Sequence, residues 1–199
     1  MDAAEEFGAH LVTAGKGRLV IVFAAGFASS PAHLALAERF RVIVADGAAL
    51  SPRALGEAAA TWAAEEGLDE VGLVGAGALA AAALWAARVA GDRASAIVLV
   101  SPDLPLGDGI DDDDQAALRP LLTEVTTPKA VLIGTLDAGQ PRNAAALYRT
   151  RLSRANVVLV YDAGADIAAD RPDAFARVAG DFLDRQGRFA FMAGTLALA

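Results

Sequence analysis

Few residue types able to do chemistry occur in this sequence, and their scarcity narrows the choices before position is considered. Cysteine is absent, which removes disulfides, thiolate metal sites and cysteine nucleophiles. Two histidines, His10 and His33, are too few for a histidine-rich metal site, and neither a metal nor another cofactor is expected. A histidine titrates near neutral pH and is a candidate proton carrier wherever it sits. His33 follows Ser30-Pro31, which reads as an N-cap serine with proline at the first helical position, so the histidine is expected partly exposed near a helix start. His10 falls in an N-terminal strand-like stretch. The four aspartates at 111–114 complement the positive end of a short helix expected from about 115 to 125. They lack the spaced oxygen ligands and the glycine of a calcium loop.

The elements that must position such groups are legible from the apolar pattern. Short runs rich in β-branched residues at 19–23, 41–45, 71–75, 96–101, 130–134 and 157–161 have the character of strands buried on both faces. Alanine-rich segments of helical length lie between them, at 31–40, 52–66, 78–90, 141–154 and 172–186. This alternation implies a parallel sheet covered by helices on both sides, with ligand sites at the carboxyl ends of the strands. The 199 residues fit one domain, 1–199, without a dividing linker or repeat. Residues 102–128 form a longer connection, and 188–199 an apolar extension containing Phe189, Phe191, Met192, Leu196 and Leu198. That extension is too short to span a bilayer and is expected to pack on its own domain or on a second copy, as a homodimer contact.

Composition excludes some partners. The 55% hydrophobic content is swollen by 49 alanines, which favour helix while burying little area. A net charge of −8, with 17 basic residues spread along the chain, opposes a nucleic-acid groove, which needs a concentrated basic face. No run reaches the roughly 20 apolar residues of a membrane span. Met1-Asp2-Ala3-Ala4-Glu5-Glu6 lacks the basic region and apolar run of a secretory signal. The expectation is a cytoplasmic protein with no membrane and no nucleic-acid partner.

An ordered set of segments carries a family resemblance. Val20-Ile21-Val22-Phe23-Ala24-Ala25-Gly26-Phe27, Arg41-Val42-Ile43-Val44-Ala45-Asp46 and Gly72-Leu73-Val74-Gly75-Ala76-Gly77-Ala78-Leu79 resemble the early strands of α/β-hydrolases. The stretch from Asp92 to Pro102 looks like that family's sixth strand, Gly134-Thr135-Leu136-Asp137 like its acid-bearing turn, and Asp170-Arg171-Pro172-Asp173-Ala174-Phe175 like the entry to its last helix. The resemblance covers about 9–186 and implies an α/β-hydrolase fold, with a mostly parallel central sheet and 102–128 as a reduced cap.

The departures bear on activity. The family's nucleophile elbow is G-x-S-x-G, with the serine on a sharp strand-to-helix turn; here Gly77 occupies the serine position and Leu79 the last glycine. Ala165, in Tyr161-Asp162-Ala163-Gly164-Ala165-Asp166, aligns with the histidine, and Ala25-Gly26 stands for the family's His-Gly pair. Of the triad only the acid, Asp137, remains, and acyl transfer needs nucleophile and base as well. By the same resemblance the backbone N–H groups of Phe27 and Ala78 match oxyanion-hole donors. A pocket lined by Ala25, Gly77 and Ala165 would then be wider than usual, with Ser29, Ser101, Asp103, Asp137 and Asp166 near its mouth. The pattern is similar to the non-hydrolytic α/β-hydrolase-fold epimerases of ribosomal-peptide pathways. It implies an isomerase or epimerase acting on a peptide or other natural product, in which the substrate's own carboxylate removes an α-proton. The alternative is a catalytically inactive protein that binds a small molecule or peptide.

Overall fold

Alternation within the β-branched runs sorts their side chains onto two faces, because successive residues of a strand point to opposite sides of a sheet. The computed structural model describes residues 10–25, 30–46, 50–106 and 113–186. Its strands are β1 (His10–Ala14), β2 (Leu19–Phe23), β3 (Arg41–Asp46), β4 (Val71–Ala76), β5 (Ala94–Val100), β6 (Lys129–Gly134) and β7 (Ala155–Val160). They form one sheet in the order β1-β3-β2-β4-β5-β6-β7. Neighbours from β2 to β7 pair in parallel, while β1 pairs antiparallel with β3. The mostly parallel sheet is present, and β1 is the strand that a count of six runs leaves out.

The helices are α1 (Pro31–Ala37), α2 (Pro52–Glu65), α3 (Ala80–Ala90), α4 (Asp113–Leu118), α5 (Leu121–Glu124), α6 (Ala144–Arg151), α7 (Ile167–Asp170) and α8 (Pro172–Asp184). Ser30 and Ser51 cap α1 and α2 by accepting from the N–H groups of His33 and Ala54, with proline at the first helical position as expected. The single helix expected at 115–125 is two short ones, because Pro120 interrupts it and caps α5. Asp113 and Asp114 lie in the first turn of α4; Asp111 and Asp112 fall outside the described residues, as does 188–199.

Leu19, Ile21, Phe23, Leu73, Ile97, Leu99 and Val131 face α2, α3 and α6 in one core, whereas Val20, Val22, Val74, Val98 and Leu132 face α1, α7 and α8 in the other. On α8 the apolar stripe is Phe175, Ala179, Phe182 and Leu183, at the i, i+4, i+7, i+8 spacing of one helix face. Each large side chain so buried contributes roughly 1.5–3 kcal/mol. The alanines of α3 serve close packing rather than area. A Cβ added at Gly56 of α2 would lie 2.3 Å from the Ala82 carbonyl oxygen of α3, so these helices meet almost backbone to backbone.

Two buried polar residues need an account. Lys129, fully buried at the start of β6, donates from Nζ to the carbonyls of Val125, Thr127 and Ser153, which uses all three ammonium hydrogens. His33 is 3% exposed, against the expectation of partial exposure. The inward face of α1 is Ala32, His33 and Leu36, and Leu34 is the residue turned outward, at 67% exposed.

Candidate functional site

Parallel strands with crossover helices open a crevice at their carboxyl ends, where backbone leaves the sheet in different directions. Such a crevice is present here as a cavity of about 310 Å³. Ala24 and Ala25 enter it from the end of β2, Val74, Ala76 and Gly77 from β4, and Val100 from β5. Ala165 and Asp166 line it from the loop after β7, and Ala168 and Phe175 from α7 and α8. Ser30, the cap of α1, completes the described wall. The walls are mostly apolar, and Asp166 is the single ionisable side chain among the described lining residues.

Gly77 stands at the turn from β4 into a 3-10 turn, Gly77–Leu79, that leads into α3. Its φ is +54°, and a Cβ built there meets nothing within 4 Å. Left-handed backbone costs a side-chain-bearing residue roughly 1 kcal/mol, and glycine avoids this. Two residues earlier, a Cβ at Gly75 would lie 2.7 Å from the Ala80 Cα, so a residue without a side chain is what lets strand and helix approach. The turn is therefore sharp, and the residue at its corner has no side chain.

The loop bearing Ala165 is fastened to the loop after β6. Thr135 N–H donates to the Val160 carbonyl at 3.0 Å, and Leu136 N–H to that of Ala163 at 2.8 Å. Asp137, half-buried, accepts from Gly139 N–H at 2.9 Å and so closes its own turn. Ser101, Asp103 and Asp137 do not line the cavity; they gather around Pro102 on its β5–β6 side. Ser101 is 5% exposed, has a φ of +38°, and its Oγ has no hydrogen-bond partner. Asp103 is exposed, and its N–H donates to the Gly77 carbonyl at 3.0 Å. Ala78 is exposed in the 3-10 turn. Gly26, Phe27 and Ser29 lie outside the described residues.

Sequence reasoning missed the group that fixes Pro102. Tyr148 of α6 donates from its hydroxyl to the Pro102 carbonyl, which also accepts from Gln140 Nε2 at 3.1 Å. Burial pushes the Tyr148 phenol up from its ordinary value, and the charges of Asp103 and Asp137 add to this; it stays a donor. A lone tyrosine in an alanine-rich helix gave no signal beyond core packing. Of residues 102–106 and 113–128, none lines the cavity. Leu104, Leu106, Leu118, Leu121 and Leu122 instead pack in the core on the α3 side.

Among the described residues there is no group of three His, Asp or Glu able to hold a metal ion, and no helix is long and apolar enough to cross a membrane. No family model matches the sequence, and no curated protein matches it significantly. Solved structures do match in fold. A thermophilic esterase from Thermogutta terrifontis is 17% identical, with 89% of this chain and 93% of that one covered at a TM-score of 0.69. A carboxylesterase from Bacillus subtilis is 15% identical, with 87% and 86% covered at 0.68. The thioesterase domain from the curacin biosynthetic pathway is 12% identical, with 85% and 93% covered at 0.68. Together with the sheet order and the helices on both faces, these likenesses define the fold as that of the α/β-hydrolases.

Proposed function

We propose that this chain is a non-hydrolytic protein of the α/β-hydrolase fold whose cavity binds a small, largely apolar molecule or the end of a peptide. The observation that carries this reading is that Gly77 and Ala165, which the family resemblance sets at the nucleophile and base positions, line the same cavity. Gly77 and Ala165 themselves offer an ester neither a nucleophilic oxygen nor a base to take its proton. Apolar walls with a few polar groups are what a small-molecule site requires.

A second reading adds proton transfer, as in an isomerase or epimerase. The observation favouring it is that Asp166 lines the cavity, where its carboxylate joins the substrate's own as a proton acceptor. Either group takes the proton from a carbon next to a carbonyl and returns it to one face or the other, so no co-reactant is consumed. The proposal also includes a homodimer formed through 188–199.

Four measurements test these readings. A panel of p-nitrophenyl esters is expected to show no turnover, and a serine-directed fluorophosphonate no labelling; stoichiometric labelling would overturn the proposal. Fluorescence of anilinonaphthalene sulfonate is expected to rise on binding and to be lost in Ala165→Trp, which fills the mouth. Candidate ligands incubated in heavy water keep one deuteron at carbon if proton transfer occurs, and keep their mass if the protein only binds.

A further inference from the structure

The polar end of the cavity has a definite charge. Asp166 caps α7, with one carboxylate oxygen accepting from Ala169 N–H at 3.1 Å, and the residue is exposed at the rim. The nearest basic residue in sequence, Arg171, is engaged elsewhere: it donates to the Tyr161 carbonyl at 2.7 Å and faces Asp162 at 3.8 Å. Among the described residues no cation pairs with Asp166. Ser30, the other polar side chain on the wall, spends its oxygen as acceptor on His33 N–H, which leaves its hydroxyl hydrogen to donate and no charge to answer. The rest of the described wall is alanine, valine, glycine and phenylalanine.

We infer that the ligand of this cavity is an apolar primary amine, whose protonated nitrogen lies against the free oxygen of Asp166 while its apolar body fills the space between Val74, Val100 and Phe175. This rests on the reading of the cavity as a ligand site. A rim-exposed ion pair is screened by water, so the selectivity it confers is modest, about fivefold in affinity.

The test compares phenylalanine amide with 3-phenylpropanamide, which has the same body and amide but no amine. Affinities are measured by calorimetry at about pH 6, where an α-amino group carries its proton. The amine is expected to bind about fivefold more tightly to the unaltered protein, and Asp166→Asn to abolish the difference while leaving 3-phenylpropanamide unchanged. Asparagine caps a helix as well as aspartate does, so the variant keeps α7. Equal affinities for the two probes, or a preference that survives in Asp166→Asn, would overturn the inference. Failure of both probes to bind while anilinonaphthalene sulfonate still binds would also overturn it, yet leave the cavity as a ligand site. Failure of all three would sink the underlying reading instead.

Discussion

At Gly77 the backbone alone makes a prediction. Gly77→Ala places a methyl group in open space but on a φ of +54°, so strain acts without a clash. The variant is expected to lose about 1 kcal/mol in urea unfolding with no change in core packing. Lys129 gives a prediction in pH. Burial, with help from the charge of Arg154, holds its ammonium at about 8, below the ordinary value of 10.5. Between those values the unfolded chain binds the proton and the folded chain does not, so stability from this group rises as pH climbs through that window. The gain is on the order of 2 kcal/mol, and Lys129→Met is expected to lack it. Urea midpoints at about pH 7.5 and about pH 10 for both proteins check this slope. Residue identities made readable that a glycine and an alanine, Gly77 and Ala165, hold the positions that the resemblance sets for nucleophile and base. They could not reveal the burial of His33, because which face of α1 turns inward is set by α8 and not by the spacing of Pro31, His33 and Leu34.

Elements were more legible than sites. The runs of valine, isoleucine and leucine announced β2 to β6, since a strand buried on both faces needs large side chains at consecutive positions; the run at 157–161 gave β7 as well, but at the sheet edge that strand is only part-buried, with Leu159 exposed and Val160 alone buried. β1 has two such residues, Leu11 and Val12, in five, and its antiparallel direction follows from the return of the chain to β3. The helix α7 is one turn long, and one turn has no periodicity to detect. Ala25, Gly77 and Ala165 share the cavity wall, whereas Ser30 and Phe175 reach it only because α1 and α8 cross the second face of the sheet. Packing between α2 and α3 supplies the prediction at this scale. Gly56→Ala drives a methyl group toward the Ala82 carbonyl and is expected to cost about 1–3 kcal/mol, as overpacking does. A lowered urea midpoint with an unchanged slope would show that stability, and not compactness, is affected.

Across the whole molecule the two ends of the sheet have different roles. The amino ends of β2 and β4 are closed by Arg18, which pairs with Glu70 and Asp184 at 2.8 Å each, while Gln186 donates to Glu70 at 2.8 Å. Burial raises the Glu70 pKa, but the hydrogen bonds from Gln186 and Arg18 outweigh it and the net direction is down. The cavity lies at the opposite, carboxyl ends. If 188–199 forms the proposed homodimer contact, the full chain is expected to sediment as a dimer and a chain cut after Gly187 as a monomer that binds anilinonaphthalene sulfonate equally well. Analytical ultracentrifugation and a fluorescence titration check the two halves of that statement.

Gln186 follows α8, and its tie to Glu70 holds that end of the helix beside the amino ends of β2 and β4. A strand of six residues rises about 20 Å, so a partner joined directly after Gln186 begins roughly that far from the cavity mouth. A reporter or a solid support grafted there would hold the protein with its opening turned away from the attachment. The same polarity makes the fold a convenient receptor on a sensor surface, where analyte must arrive from solution and the anchor must not obstruct it.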